Sequence, residues 1–141
     1  HGECVSSHVK SILICDNMQY IAFASYNSSL FYAWFVAVSN CRDLTVRDVN
    51  SFPLCCGKFD KELIDELFDD YNKNCKRKHT YYNATGNVIY DEYYPKLSKP
   101  IIDEIDKVLA KHYGFTEEEL DFIINYDIKY RMGDELGDGE A

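Results

Sequence analysis

Several features of other protein classes are missing from this chain of 141 residues. The longest uncharged apolar run, Leu30 to Val38, is far shorter than the ~20 residues that a membrane-spanning helix needs. No two cysteines have the Cys-x-x-Cys spacing of a zinc site, and the seven glycines are scattered instead of forming a cofactor-binding turn. No basic segment with an apolar core opens the chain, so we expect a signal peptide to be absent or removed. The start at His1 indicates a piece of a longer protein.

Side chains suited to catalysis form no known arrangement. The four histidines make no nucleophile–base pattern. Asp91, Glu92 and Lys96 are residue types found in metal-dependent nucleases, but their spacing matches no such site. We therefore expect no catalytic residue, no bound metal and no cofactor in this chain, and no enzymatic activity of its own.

What is present suits one soluble globular domain, with 46% hydrophobic and 28% charged residues and no repeat or long linker. Twelve Tyr, eight Phe and one Trp are a heavy aromatic load that core packing explains for most rings. The apolar run around Trp34 leaves no polar face on its helix. The indole of Trp34 is therefore predicted to lie in the core.

The six cysteines leave two interpretations open. An even number of cysteines and the glycosylation sequon Asn83-Ala84-Thr85 would suit a secreted, disulfide-bonded domain. However, Cys15 and Cys41 fall at the predicted ends of a strand and a helix, and adjacent Cys55 and Cys56 are poorly placed to pair with each other. We expect free thiols and therefore a cytoplasmic location.

The net charge of −9 argues against simple electrostatic binding of DNA, which requires Lys and Arg. The charge is unevenly distributed, however. Residues 99–141 carry five basic and twelve acidic side chains, whereas residues 1–58 are balanced and Lys76-Arg77-Lys78 form a basic run. A neutral-to-basic face built from the first half and this run is compatible with the sequence.

The first half predicts a hairpin followed by a helix. Val9 to Cys15 and Tyr20 to Tyr26 are rich in β-branched and apolar residues, which favours two antiparallel strands. Ser28 or Ser29 is suited to capping a helix through Leu30–Val38. Because this helix is apolar all round, we expect it to be buried at the centre of the domain.

A second helix and hairpin are predicted in the middle of the chain. Asp60 is suited to capping an amphipathic helix, with Lys76-Arg77-Lys78 at its end, where cations favour the helix dipole. Thr80–Asn83 and Val88–Tyr90 then predict two strands, with Gly86 supplying the positive φ of the turn.

The C-terminal part predicts a pair of helices. Ser98 is suited to capping the first helix, and Gly114 to ending it. Thr116 and Glu119 form a capping box for the second helix, which Gly133 would end. The predicted fold class is therefore α+β, with small antiparallel hairpins around a buried apolar helix and the C-terminal helix pair packed outside.

Two segments closely resemble a known family. The first is SSLFYAWFVAVSNCRDLTVRDVNSFPL, from Ser28 to Leu54, and the second is SKPIIDEIDKVLAKHYGFTEEELDFIINYDIKYRMG, from Ser98 to Gly133. Both are similar to the TaqI-like C-terminal specificity domain of adenine-specific DNA methyltransferases and of fused type II restriction-modification enzymes of bacteria. The resemblance runs over most of residues 9–133.

The resemblance implies a function in DNA recognition. Residues 1–133 would form the target-recognition domain of a larger enzyme, and residues 134–141 an acidic tail. The partners would be double-stranded DNA and the methyltransferase domain of the parent chain, which would use S-adenosylmethionine and could be fused to a nuclease. The Asn-Pro-Pro-Tyr loop that holds a flipped adenine in such enzymes is missing, and Tyr93-Tyr94-Pro95 is only a partial likeness.

Two groups of residues are candidates for DNA contact. Arg42 and Arg47 follow the end of the apolar helix, where an arginine fork could bind a guanine edge or a phosphate; a salt bridge to Asp43 or Asp48 is the structural alternative. The second group places cations beside an aromatic ring and an amide as the chain enters the second hairpin, which suits phosphate contact and groove recognition. Its members are Lys76, Arg77, Lys78, Tyr81 and Asn83. Its structural alternative is a solvated helix terminus.

A different class of function is also consistent with the composition. The acidic helices could dock on another subunit, or an acidic surface could mimic DNA. A basic patch that joins Arg42 to Lys76–Lys78 would favour DNA recognition, whereas an acidic stripe over a concave face would favour protein interaction.

Overall fold

The computed structural model describes residues 10–54 and 59–126, and these form an α+β fold, as predicted. Its helices are α1 (Gln19–Asn27), α2 (Ser29–Val38), α3 (Val46–Ser51), α4 (Lys61–Asn74), α5 (Lys99–Tyr113) and α6 (Glu117–Ile124). One antiparallel hairpin, β1 (Lys76–Tyr82) and β2 (Gly86–Glu92), lies between α4 and α5. Short 3-10 turns at Asp16–Met18 and Pro95–Ser98 precede α1 and α5.

The prediction of a hairpin near the N-terminus was wrong. Tyr20–Tyr26 lies within α1, and the described residues before the turn at Asp16 are not in a strand. The buried residues Ile21, Ala24 and Ser25 recur three and four positions apart, which is the spacing of a helix face. The composition of the segment favoured a strand, but packing of this face against α4 and α5 favours a helix.

The main core lies between α1, α4 and α5. Its fully buried members are apolar side chains from all three helices: Ala24, Ile64, Leu67, Ile102, Ile105 and Leu109. The α4 helix begins as predicted, because the side chain of Asp60 accepts a hydrogen bond from the backbone N–H of Glu62. The α5 helix contributes three of these residues and is the central element of the fold.

A second, aromatic cluster lies beside α2. Phe31, Val49 and Phe52 are buried there, and the ring of Trp34 packs against Phe31 and Phe52 at centroid distances of 5.8 and 5.3 Å. The indole itself is only partly buried.

The prediction that α2 is buried all round was therefore wrong. Only Ser29 and Phe31 are buried in this helix, while Ala37 and Val38 at its far end are exposed. The uniform apolar composition concealed that α2 packs on the body through one face and its N-terminus.

The N-terminus of α2 is fixed by a carboxylate from α5. The Asp106 oxygens accept hydrogen bonds from the backbone N–H groups of Ser29 and Leu30, at 3.2 and 3.1 Å. Ser28 completes the cap as predicted, since its hydroxyl oxygen accepts the N–H of Phe31 at 3.0 Å. Burial raises the pKa of Asp106 above its ordinary value, and the hydrogen bonds from α2 oppose that shift.

The C-terminal helix pair is present, as predicted. Gly114 ends α5 with φ +73°, a left-handed conformation that suits glycine, and Thr116 and Glu119 form the expected capping box of α6. Lys99 is buried and donates hydrogen bonds to Asp103 and to the backbone carbonyl of Ile124 at 3.0 Å, which connects the end of α6 to the start of α5.

Two details of this pair differ from the prediction. The Ser98 side chain does not cap α5; its hydroxyl donates instead to the Asp70 carboxylate of α4, at 2.5 Å. The α6 helix ends at Ile124, and the predicted stop at Gly133 lies outside the described residues, as does the acidic tail.

Within residues 10–54 and 59–126, no single helix is long and apolar enough to cross a membrane. Asp16–Asn27 and Ser29–Val38 reach the required length and hydropathy only when they are counted together, and the two helices are bent by 71° at their junction.

Candidate nucleic-acid interface

We call the six helices α1–α6 the helical body. The strands β1 and β2 contact each other far more than they contact this body, so the hairpin projects from it. It is longer than predicted: Lys76 is opposite Glu92, and the register continues to Tyr82 opposite Gly86. Gly86 has φ +73°, as the turn requires. Lys76-Arg77-Lys78 therefore form the first residues of a strand, and their prediction as a helix end was wrong.

One face of the hairpin, which we call the outer face, is exposed along its whole length. Every second residue of each strand lies on this face: Arg77, His79, Tyr81, Asn87, Ile89 and Asp91. The side chains of Tyr81 and Ile89 are 68% and 58% exposed. Large apolar groups left in water cost stability, so their exposure on a projecting element is typical of a binding surface.

The opposite, inner face is partly covered. Lys78 and Thr80 on β1 and Val88 and Glu92 on β2 are half-buried there. The ammonium group of Lys76 lies over the ring of Tyr94, 5.2 Å from its centroid, a cation–π contact at the base of the hairpin. The two candidate lysines therefore share a face, while Arg77 and Tyr81 lie on the other.

Arg77 is held by an acidic partner across the hairpin. Its Nε and one terminal nitrogen donate to the two oxygens of Asp91, at 2.9 and 3.2 Å. These hydrogen bonds lower the pKa of Asp91 and raise that of Arg77. Since both side chains are exposed, the pair contributes little to stability. It occupies one bidentate edge of the guanidinium, and the edge formed by the two terminal nitrogens can still bind a base or a phosphate.

Asn83 lies at the exposed tip of the hairpin, in the turn between Tyr82 and Gly86. At this position its side chain is available to a partner that approaches the tip. Tyr81 is on the outer face just before the turn. The structure thus brings five predicted site residues onto one projecting element, distributed over two faces and a tip.

Arg42 lies in a tight corner after α2. The hydroxyl of Ser39 accepts the N–H of Cys41 and the amide oxygen of Asn40 accepts the N–H of Arg42, both at 3.0 Å. Cys41 has φ +55°, so the chain reverses sharply there. The side chain of Arg42 is exposed and forms no ion pair with any residue in the described ranges.

Arg47 lies at the start of α3, beside a shallow cavity that Trp34 and Asn40 also line. The Asp48 carboxylate accepts hydrogen bonds from the backbone and hydroxyl of Thr45, at 2.9 and 2.7 Å, which lowers its pKa. The predicted alternative, an ion pair of either arginine with Asp43 or Asp48, is not formed among residues 10–54 and 59–126.

A groove lies between α2 and the segment that follows the hairpin. Two adjoining cavities share Tyr32 and Pro95; the first extends to Tyr94, and the second extends to Leu44, two residues after Arg42. The two cavities thus run from the segment after the hairpin to the segment after α2. Arg42 and the two lysines lie on separate elements, the corner after α2 and the strand β1.

An acidic surface lies on a different part of the helical body. A shallow cavity along α4 and α5 is lined by five carboxylates: Glu62, Asp65, Glu66, Asp69 and Asp70. Lys73 and Ile101 complete its lining. This is the concave acidic stripe that the alternative function predicts.

Sequence reasoning did not select His79, Asn87 or Ile89, although all three lie on the outer face. The signal that could have found them is the two-residue period of a strand. It was overlooked because Lys76-Arg77-Lys78 were assigned to the end of a helix, so β1 was expected to begin only at Thr80.

The described residues hold no group of three or more His, Cys, Asp or Glu side chains suited to a metal ion. Cys15, Cys41 and Cys75 are free thiols, whereas Cys4, Cys55 and Cys56 lie outside the described residues. Comparisons with protein-family models, with curated proteins and with solved structures found no match to this chain.

Proposed function

We propose that this chain recognises a specific sequence in duplex DNA on behalf of an adenine-specific methyltransferase of a restriction-modification system. The observation that carries the proposal is the projecting hairpin with its exposed outer face. The major groove of B-DNA admits a two-stranded β-ribbon, whose side chains then meet the base edges. Methyl transfer, with S-adenosylmethionine as cofactor, would belong to the rest of the parent enzyme.

The charge distribution supports this choice of surface. The hairpin has three cations at its base, Lys76, Arg77 and Lys78, in a chain whose net charge is −9. Duplex DNA carries one negative charge per ~1.7 Å, so it is repelled by the acidic α4 surface and approaches the hairpin more readily. Lys76 and Lys78 on the hairpin are suited to phosphate contacts beside the groove, and Arg42 is a further exposed cation in the corner after α2.

The proposal is tested by titrating a fluorescently labelled duplex with the 141-residue chain, from about 50 mM to about 200 mM salt. We expect Lys76→Ala with Lys78→Ala to weaken binding to all duplexes. It should also reduce the slope of log affinity against log salt by up to about 2, because each phosphate contact contributes about 0.9.

The matched control is Lys107→Ala with Lys111→Ala, which removes the same charge from the exposed face of α5. It should change the salt slope much less. Equal effects of the two double variants would show that only net charge matters and would contradict a hairpin interface.

A second candidate function is protein interaction through the acidic cavity of α4, which the five carboxylates favour. It predicts no duplex binding even at low salt. It also predicts binding of a lysine-rich peptide that weakens when Glu66→Gln and Asp69→Asn are combined. A chain that binds duplex but not the peptide would exclude this alternative.

A further inference from the structure

The side chains on the outer face of the hairpin bear on which base pair it would contact. This inference rests on the proposed function and concerns which base pair the hairpin contacts. Two cross-strand pairs occupy the centre of the face: Tyr81 opposite Asn87, and His79 opposite Ile89. All four side chains are exposed, so they meet a ligand that lies along the hairpin.

Arg77 is the residue of this face whose side chain is suited to guanine, and it is paired with Asp91. Guanine is most often bound by Arg or Lys through its O6 and N7 acceptors. The guanidinium of Arg77 is engaged by both oxygens of Asp91, and Lys78 is on the inner face. The pair uses Nε and one terminal nitrogen, so a guanine would bind Arg77 through the edge formed by its two terminal nitrogens, beside the carboxylate of Asp91.

Adenine recognition is favoured by Asn87. A side-chain amide presents one acceptor and one donor side by side, which matches the N6 amino group and N7 of adenine. Within the part of the chain that the structure describes, the Asn87 side chain forms no hydrogen bond, so contact with adenine breaks none there.

Ile89 adds an apolar contact suited to the same kind of base pair. It is two residues from Asn87 on the same strand and the same face, a separation of about 6.6 Å along the strand. An exposed aliphatic side chain in the major groove contacts the thymine methyl group, the one apolar group on a base edge there. A face with a free amide and an exposed isoleucine therefore matches A·T pairs.

We propose that the outer face of the hairpin recognises an A·T base pair in the major groove, with Asn87 as the residue that binds adenine. Ile89 packs against a thymine methyl group nearby.

The test uses the full 141-residue chain and a pool of duplexes with a randomised central segment, from which bound molecules are recovered and sequenced. We expect the wild-type chain to select a sequence with at least one strongly preferred A·T pair. Asn87→Ala should lose that preference, by about 5- to 150-fold between the best and the other base pairs. Asn72→Ala, the same change on the exposed surface of α4, is the control and should leave that preference intact.

A base analogue identifies the contact itself. Replacing the selected adenine with 7-deazaadenine removes N7, so it should weaken binding by wild type but not further weaken binding by Asn87→Ala.

The possible results separate the two proposals. No retention of any duplex by the wild-type chain would overturn the proposed function itself. Retention with a selected sequence that Asn87→Ala does not alter, or alters at a G·C pair, would leave the function intact and overturn this inference. Retention without any sequence preference would overturn this inference together with the claim of specific recognition.

Discussion

In the helical body, Leu67, Ile105 and Leu109 are fully buried, whereas in the hairpin the side chains of Tyr81 and Ile89 leave more than half of their surface in water. The body encloses the apolar side chains of its core and its long-range polar contacts, such as Asp106 with the N-terminus of α2, although Val38, Phe68 and Phe122 are exposed on its surface. The outer face of the hairpin carries Tyr81 and Ile89 among polar side chains, and no described part of the chain covers it. The comparison indicates that the body provides stability and that the outer face is available for contact with a partner.

The largest loss of stability is expected at the centre of the main core. Leu67 is fully buried between α1 and α5, so Leu67→Ala should lower the free energy of unfolding by about 2–5 kcal/mol. Urea denaturation followed by circular dichroism measures this loss. A change below about 1 kcal/mol would show that the core packing described here is incorrect.

Trp34 tests the boundary of the body. A fully buried aromatic would cost about 3–5 kcal/mol when replaced by alanine, but Trp34 is half-buried and packs chiefly on Phe31 and Phe52. We therefore expect Trp34→Ala to cost about 2 kcal/mol by the same denaturation measurement. A loss of about 4 kcal/mol would mean that the indole is buried in solution, contrary to its exposure here.

Asp106 tests the polar connection between α5 and α2. Asp106→Ala leaves the N–H groups of Ser29 and Leu30 without their acceptor in a buried place, so we expect a loss of about 1–3 kcal/mol in the free energy of unfolding. Unchanged stability would mean that water or another group replaces the carboxylate at no cost.

The same residue gives a pH dependence of known sign. Because burial raises the pKa of Asp106, the folded state holds its proton more tightly than the unfolded state, whose pKa is near 3.8. Its contribution to stability is therefore greatest below pH 3.8 and is lost as pH rises through the folded pKa. As pH rises through the folded pKa, the wild type should lose stability relative to Asp106→Asn. Denaturation of both proteins at several pH values measures this difference in the free energy of unfolding. A gain in the relative stability of the wild type over the same pH range would contradict the account.

Local signals in the sequence predicted the parts of the fold that depend on neighbouring residues. Gly86 and Gly114 have the positive φ expected of them, and the Thr116–Glu119 capping box forms as written. Each of these features involves residues fewer than five positions apart, so sequence spacing specifies it.

Contacts between distant residues were not predictable in this way. Asp106 binds the start of α2 across 77 positions, and no local pattern indicates that partner. Tyr20–Tyr26 has a composition that suits a strand. It forms a helix instead, because the helix face that contains Ala24 packs against α4 and α5. The candidate DNA residues were found only in part, since the alternation from Lys76 onwards was interpreted as a helix end.

The most direct test of the comparison measures stability and DNA affinity on the same variants, Tyr81→Ala and Ile89→Ala. Both residues are exposed, so the account predicts that the free energy of unfolding changes by less than about 0.5 kcal/mol. It also predicts that affinity for the selected duplex falls clearly for both variants. If stability fell while duplex affinity did not, the outer face would be part of the folded core, and the central claim would be contradicted.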